Sequence, residues 1–171
     1  MLGRMIPPDV PGRRADAPFV IREASLPDQG NLMGIYADDT IVGAEMTALS
    51  KLVATYAEEE ASRLWVAELP DAGIVGAVGV WHADDHVAEL RRLRVARAYR
   101  KRGIGTRLVE TALSYCRDNA YLKIVLDTYV NRAAAIALFE KFGFELTRTR
   151  DVDGKRLHDF YLNLYREVTD P

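Results

Sequence analysis

The chain has 171 residues, of which 49% are hydrophobic and 28% are charged, and its formal net charge is −2. This composition is typical of one globular domain that is long enough to bury a core. The longest apolar runs are too short to cross a bilayer, which argues against a membrane protein. The only cysteine, Cys116, excludes an internal disulfide.

The first 18 residues contain four of the seven prolines and no apolar segment of the kind found in secretory signals. We therefore expect a tail at residues 1–18, followed by a single domain over residues 19–167. A lone cysteine without a signal favours the reducing cytoplasm. Cys116 falls on the apolar side of a predicted helix, which favours an unreactive core thiol over a nucleophile.

The first half of the domain predicts two helices and four strands. Residues 19–23 predict a strand and residues 28–38 a short helix. A longer helix is predicted over residues 45–62, where apolar side chains recur at helical spacing: Met46, Leu49, Leu52, Val53, Tyr56 and Ala57. Three strands joined by short turns follow, which predicts an antiparallel meander at residues 65–69, 74–81 and 87–95.

The second half begins with an amphipathic helix over residues 105–119. An apolar strand at residues 122–127 completes a strand–helix–strand unit, so it should run parallel to the strand at residues 87–95. A helix over residues 132–142 ends at Gly143. A closing hairpin follows at residues 144–150 and 157–165. The elements predict an α+β fold, in which a mixed, mostly antiparallel sheet carries helices on both faces.

A basic loop and a glycine turn connect the strand at residues 87–95 to the helix at residues 105–119. Eight of the 23 lysines and arginines lie between Arg91 and Arg107. The first N–H groups of a helix are unpaired and carry the positive end of the helix dipole, and glycines let an anion approach them. The turn therefore predicts a binding site for a phosphate-bearing ligand.

Two common phosphate loops fit this turn poorly. A Walker-type loop ends in Gly-Lys-Ser/Thr, which the sequence lacks. In a dinucleotide-binding fingerprint, Gly103 and Gly105 would supply the first two glycines and Asp127 the ribose-binding acid. However, Leu108 stands at the third glycine position, and a meander of strands precedes the motif.

The hexapeptide Arg100-Lys-Arg-Gly-Ile-Gly105 is similar to Arg/Gln-x-x-Gly-x-Gly/Ala, the signature of the GNAT superfamily of acyl-CoA-dependent N-acyltransferases. Residues 89–100 resemble that family's fourth strand and the loop after it. Residues 135–144 resemble its Ala-x-x-Leu-Tyr-x-x-x-Gly-Phe motif. The resemblance implies the GNAT fold and an N-acetyltransferase. Such an enzyme moves acetyl from acetyl-CoA to a primary amine of a small molecule or peptide, by direct attack in a ternary complex.

The resemblance also implies where acetyl-CoA would bind. Its pyrophosphate would meet the backbone N–H groups and basic side chains of residues 100–106. Its pantetheine arm would pair with the strand backbone at residues 93–95. Asn131 matches a family position whose side chain reaches the cosubstrate. The implied binding residues are Leu93, Arg94, Val95, Arg100, Lys101, Arg102, Gly103, Ile104, Gly105, Thr106 and Asn131.

Glu89 stands where family members with a glutamate base carry it. An amine with a pKa of about 10.4 must lose a proton before it attacks a thioester. A glutamate with its ordinary pKa of about 4.3 is a weak base, so the site would have to raise that pKa by burial. The alternative is a surface glutamate that pairs with Arg91 on the same strand face, and the sequence leaves both open.

The family's usual acid, which protonates the leaving CoA thiolate, is a tyrosine, but here the position is Phe139. A thiolate whose thiol pKa is about 8.5 is a tolerable leaving group, so turnover is still expected. Tyr129 could replace the missing acid or simply pack at its strand end. Phe139 also suggests an alternative function, namely a catalytically silent acetyl-CoA-binding module.

Other ligand classes find less support. The acidic residues between positions 27 and 60 would favour a cationic amine, or they form a solvated face. His82 and His86 lack a well-spaced third ligand, so no metal is expected. The pI of 5.9 and the lack of spaced aromatic residues argue against nucleic-acid binding. The acceptor and the oligomeric state, including a homodimer, stay open.

Overall fold

A computed structural model describes residues 18–37 and 44–165, and its elements follow the predicted order. The strands are β1 (Val20–Glu23), β2 (Arg63–Leu69), β3 (Gly73–His82), β4 (Val87–Val95), β5 (Lys123–Tyr129), β6 (Glu145–Val152) and β7 (Lys155–Asn163). The helices are α1 (Gln29–Tyr36), α2 (Ala44–Ser50), α3 (Leu52–Glu58), α4 (Ile104–Asp118) and α5 (Ala133–Lys141). Apart from Pro18, the expected tail lies outside the described residues. None of the helices described is long and apolar enough to cross a membrane.

The seven strands form one mixed sheet in the order β1-β2-β3-β4-β5-β7-β6. β2, β3 and β4 form the predicted antiparallel meander, and β4 and β5 are parallel, as the strand–helix–strand unit requires. β7 lies between β5 and β6 and is antiparallel to both. The predicted α+β fold is therefore confirmed.

Apolar side chains cover both faces of the sheet. On one face, here called the α4 face, α4 buries Leu108 and Cys116 completely, and α5 adds Phe139. Burial raises the pKa of the Cys116 thiol to about 12, which fits the predicted unreactive core thiol. On the opposite face, the α1 face, α1, α2 and α3 pack around Leu32 and Tyr56. The predicted helices on both faces are thus confirmed.

The single helix predicted over residues 45–62 is wrong, because α2 and α3 are separate helices. Lys51 between them is non-helical, with φ −120° and ψ 19°. The Gln29 side chain of α1 spans this break. Its amide nitrogen donates to the Leu49 carbonyl at 2.6 Å, and its amide oxygen accepts from the Val53 N–H at 3.0 Å. These bonds stabilise the break because backbone groups lost from the helix ladder need other partners.

Asp28 connects the beginning of α1 to the edge of the sheet. Arg22 donates to both Asp28 carboxylate oxygens, at 2.8 and 2.9 Å, and the Ser25 N–H donates at 2.7 Å. The bonds from Arg22, more than those from Ser25, lower the pKa of Asp28 from 3.8 to about 2. Because the folded pKa is depressed, this carboxylate stabilises the fold above its unfolded pKa, and the stabilisation is lost as the pH falls toward 2.

We therefore expect Asp28→Asn to lower the free energy of unfolding at neutral pH by roughly 2 kcal/mol, the equivalent of the pKa shift. It should also flatten the fall in stability between about pH 5 and about pH 2. Urea denaturation across that range measures both effects. Asp71→Asn, at an exposed turn position, is the control. If the free energy of unfolding falls equally steeply with decreasing pH in Asp28→Asn and in the parent protein, the lowered pKa of Asp28 is contradicted.

Candidate functional site

β4 and β5 are parallel neighbours that separate soon after they begin. They pair at three positions only: Val87 with Lys123, Ala88 with Ile124, and Glu89 with Val125. β4 continues to Val95 and β5 to Tyr129 without further pairing. Among the residues described, no strand covers the edge of β4 over residues 90–95 that faces β5. We call this opening the β4–β5 cleft, and its edge can accept an extended ligand as an added strand.

A β-bulge bends β4 at the cleft. Two β4 residues, Arg92 and Leu93, stand opposite the single β3 residue Val78. Arg92 has φ 61°, which is uncommon for a residue other than glycine. A bulge of this kind bends its strand and increases the local twist, and it accompanies the separation of β4 from β5.

Helix α1 holds the bulge from the α1 face. The Tyr36 hydroxyl donates to the Arg92 carbonyl at 2.5 Å. The Nε of Arg94, a nearly buried side chain, donates to the Ile35 carbonyl at 3.2 Å. Burial raises the pKa of Tyr36, so its hydroxyl stays protonated and keeps its donor role. The shape of β4 at the cleft therefore depends on the last turn of α1.

The glycine turn predicted from the sequence forms the beginning of α4. Gly103 precedes the helix with φ 80°, and Lys101 has φ 62°. The Arg107 N–H donates to the Gly103 carbonyl at 3.1 Å, so the N–H groups of residues 104–106 come before the helix ladder. A Cβ added at Gly103 would meet nothing within 4 Å. The turn thus presents backbone donors to open space, as an anion site requires.

The beginning of α4 lies at the end of β4. A Cβ added at Gly105 would lie 3.4 Å from the Leu138 side chain of α5 and 3.8 Å from the Val95 side chain. The fold therefore brings together the strand backbone at residues 93–95 and the turn at residues 101–106, which the family resemblance assigns to one ligand.

The basic side chains of the loop surround this turn. The Arg100 Nε donates to the Val95 carbonyl at 3.0 Å. Arg102 donates to the Ala98 carbonyl at 3.2 Å and lies 5.1 Å from the centre of the Tyr99 ring. Lys101 is exposed. None of these contacts is with a carboxylate, so the loop keeps its positive charge.

Asn131 lies beyond the end of β5. It lines an open pocket of about 290 Å³ together with Tyr129, Val130, Lys155 and Arg156. The Lys155 ammonium lies 5.2 Å from the centre of the Tyr129 ring, so this tyrosine borders the pocket and is only partly buried. The predicted contact between Asn131 and a cosubstrate stays a prediction.

Glu89 occupies the last paired position of β4 before the cleft opens. Its side chain is 26% exposed and accepts a hydrogen bond from Arg91 at 2.8 Å. The pair that the sequence offered as the alternative interpretation is therefore present. This contact fixes the carboxylate at the closed end of the cleft, and its role as a base stays a prediction.

Asp127 is a second carboxylate at the cleft. From the sequence, we named it only as the ribose-binding acid of a dinucleotide-binding fingerprint. It lies two residues beyond Val125, the partner of Glu89, so both acids belong to the same face of the sheet. Arg150 donates to Asp127 at 3.0 Å. Burial, and after it the charge of Glu89, raise the pKa of Asp127. The sequence predicted that the two strands are parallel, and side chains two residues apart on a strand share a face. Together these could have placed Asp127 near Glu89.

Phe139 is part of the core and offers no polar group to the cleft. It is 4% exposed, and its ring centre lies 5.7 Å from that of Phe144. Gly143, with φ 91°, ends α5 as predicted and lets the Phe144 N–H donate to the Phe139 carbonyl at 3.1 Å. The position of the family's usual acid therefore carries a buried hydrocarbon.

The acidic residues expected to favour a cationic acceptor do not form one surface. Asp28 is buried against Arg22. The three glutamates at residues 58–60 are exposed at the end of α3. Asp38, Asp39 and the side chain of Glu45 lie outside the described residues. The described acids named here are therefore either paired with an arginine or exposed at a helix end.

Two of the three histidines have hydrogen-bond partners for their side chains. The His82 Nδ1 lies 2.6 Å from the Tyr121 hydroxyl, and the His158 Nδ1 lies 2.7 Å from the Thr149 hydroxyl. Within residues 18–37 and 44–165, no group of three or more histidine, cysteine, aspartate or glutamate side chains could hold a metal ion.

Comparisons with known proteins show the family and the fold. Residues 31–144 match the family described as the Acetyltransferase (GNAT) family. N-acetyltransferase 8 of Homo sapiens is 34% identical over 117 residues, which make up 66% of this chain and 49% of that protein. The chain thus spans about half the length of the curated relatives it matches.

Solved structures share the fold. An acetyltransferase of the GNAT family from Staphylococcus aureus superposes with a TM-score of 0.75 at 19% identity, over 86% of this chain and 99% of that one. yncA from Salmonella typhimurium, solved with its cofactor acetyl-CoA, superposes with a TM-score of 0.72 at 20% identity, over 85% and 94% of the two chains.

Proposed function

The chain belongs to the GNAT acetyltransferase family, and from this premise we propose that it is an N-acetyltransferase. Its substrates would be acetyl-CoA and a primary amine of a small molecule or peptide. The observation that carries the proposal is the meeting of the α4 glycine turn with the open edge of β4, where a Cβ on Gly105 would lie 3.8 Å from Val95. One ligand with a phosphate at one end and an extended arm could engage both.

The residues at this place fit acetyl-CoA. The N–H groups of residues 101–106 and the charges of Arg100, Lys101 and Arg102 would hold the pyrophosphate, and open space at Gly103 admits it. The free edge of β4 at residues 93–95 would pair with the pantetheine amides. When bound, acetyl-CoA supplies an acetyl group activated as a thioester.

The chain's own groups would handle the proton. Glu89 would take a proton from the amine, directly or through one water, so that the nitrogen lone pair can attack the thioester carbon. A backbone N–H near Val95 would donate to the developing oxyanion. The carbon–sulfur bond then breaks, and the thiolate leaves without a tyrosine donor at position 139. The cytoplasmic location and a homodimer stay predictions.

The second candidate, a silent acetyl-CoA-binding module, is favoured by the burial of Phe139 alone. A thiol-release assay separates the two functions over polyamines, aminoglycosides, amino acids and peptides. We expect CoA release above the hydrolysis rate with at least one amine. Acetyl-CoA binding without CoA release with any of them would support the silent module.

If the protein is an enzyme, Phe139→Tyr should leave its rate within about threefold of the parent's rate, because a phenol at this buried position lacks access to the cleft. The thiol-release assay measures this rate as well.

A further inference from the structure

We propose that the acceptor carries a carboxylate in addition to its amine, and that Arg92 binds this carboxylate. The proposal rests on the proposed function, because it names the acceptor class of the same site. It is the opposite of the cationic acceptor suggested by the acidic residues of the sequence.

Most charged side chains on the α1 face of the cleft neutralise one another. Arg91 donates to Glu89 at 2.8 Å, and Arg150 donates to Asp127 at 3.0 Å. Both carboxylates near the cleft are therefore already paired with an arginine. A purely cationic acceptor would find no unpaired carboxylate among the acids described at this place.

Arg92 differs from these arginines. Within the described part of the chain, no carboxylate lies within ion-pair distance of it. It occupies the bulge at the cleft, and the Tyr36 hydroxyl holds its carbonyl at 2.5 Å. A residue other than glycine held at φ 61° indicates a position that the surrounding structure imposes.

The charge of Arg92 acts on two tyrosines of the α1 face. Burial raises the pKa values of Tyr36 and Tyr56, and the charge of Arg92 opposes that effect at both phenols. Both tyrosines belong to the helices that cover this face. Arg92 is itself partly buried, where a charge is less screened than at the surface. An acceptor carboxylate would give this guanidinium a partner that the described residues do not provide, and a planar guanidinium binds a carboxylate with two bonds.

The two functions then lie on one strand. Glu89 at the closed end of the cleft would receive the acceptor amine, and Arg92 at the bulge would receive the carboxylate. The flexible arginine side chain leaves the spacing between amine and carboxylate open, so α- and ω-amino acids are both candidates.

Matched acceptor pairs test the proposal by steady-state kinetics. Leucine is compared with isoamylamine, and γ-aminobutyrate with butylamine, so that each pair differs by a carboxylate. We expect at least one carboxylate-bearing member to exceed its partner in kcat/KM by about tenfold or more. Arg92→Gln should remove that preference, chiefly by raising the KM of the carboxylate-bearing acceptor. Arg92→Lys should retain part of it, and Arg117→Gln, exposed at the end of α4, should retain all of it.

Acetyl-CoA affinity, measured on every variant, shows that the fold and the cosubstrate site are intact. Equal or better transfer to the simple amines would overturn the carboxylate proposal and leave the proposed function standing. If no amine of these pairs or of the thiol-release panel is acetylated, the proposed function fails. Calorimetry with N-acetylleucine in saturating CoA then decides the carboxylate proposal separately. Binding that Arg92→Gln abolishes would support the anion site, whereas no binding, or equal binding by both proteins, would overturn it.

Discussion

Gly103→Glu is expected to abolish acetyl-CoA binding. A Cβ at this position projects into open space in front of the α4 N–H groups, where the pyrophosphate would lie. Two like charges about 4 Å apart near a protein surface repel by about 4 kcal/mol, which lowers affinity roughly a thousandfold. The loss of backbone donors to the displaced phosphate adds to this effect. Isothermal titration with acetyl-CoA measures the change.

The chain offers a matched control for this variant. Gly73 also has a left-handed φ, at 72°, and a Cβ there would also meet nothing within 4 Å. It is the first residue of β3, and β4 lies between that strand and the cleft. Gly73→Glu carries the same backbone strain and the same added charge, so it should lose similar stability and keep acetyl-CoA affinity. Retained affinity in Gly103→Glu would refute the placement of the phosphates.

Glu89→Gln is expected to lower turnover by about a hundredfold or more at neutral pH, the size of a lost general base. Acetyl-CoA affinity should be unchanged, because Glu89 lies at the opposite end of β4 from the glycine turn. The deficit should shrink as the pH rises toward the amine pKa of about 10, where the acceptor loses its proton unaided. The pH dependence of kcat/KM for parent and variant measures this.

Asp127→Asn is the comparison that separates the two acids at the cleft. If Glu89 takes the proton, Asp127→Asn should cost less than Glu89→Gln at every pH. The reverse order would assign the base to Asp127, whose pKa is already raised by burial and by Glu89. A Glu89→Gln profile equal to the parent's in height and shape would remove Glu89 from the mechanism.

The features that the sequence predicted correctly depend on short stretches of chain. Apolar spacing located α4, and Gly143 marked the end of α5, because both signals lie within a few residues. The helical connection of a strand–helix–strand unit was enough to predict that β4 and β5 are parallel. The glycine turn at Gly103 and Gly105 was visible for the same reason, since its motif is continuous.

The features that the sequence missed depend on distant residues. The break at Lys51 is stabilised by Gln29, more than twenty residues earlier. The bulge at Arg92 is held by Tyr36 of α1, so no pattern within β4 predicts it. Asp127 joins Glu89 only through the register of two strands that are more than thirty residues apart. Local periodicity predicts the elements, whereas the chemistry at the cleft depends on their contacts.

In the proposed complex, acetyl-CoA occupies the β4–β5 cleft with its phosphates on the α4 turn. Amide hydrogen exchange with and without acetyl-CoA tests it at the residues concerned. We predict slower exchange at the N–H groups of residues 93–95 and 101–106, and no change in the turn before Gly73. Acetyl-CoA binding that leaves exchange at residues 93–95 and 101–106 unchanged would contradict the account.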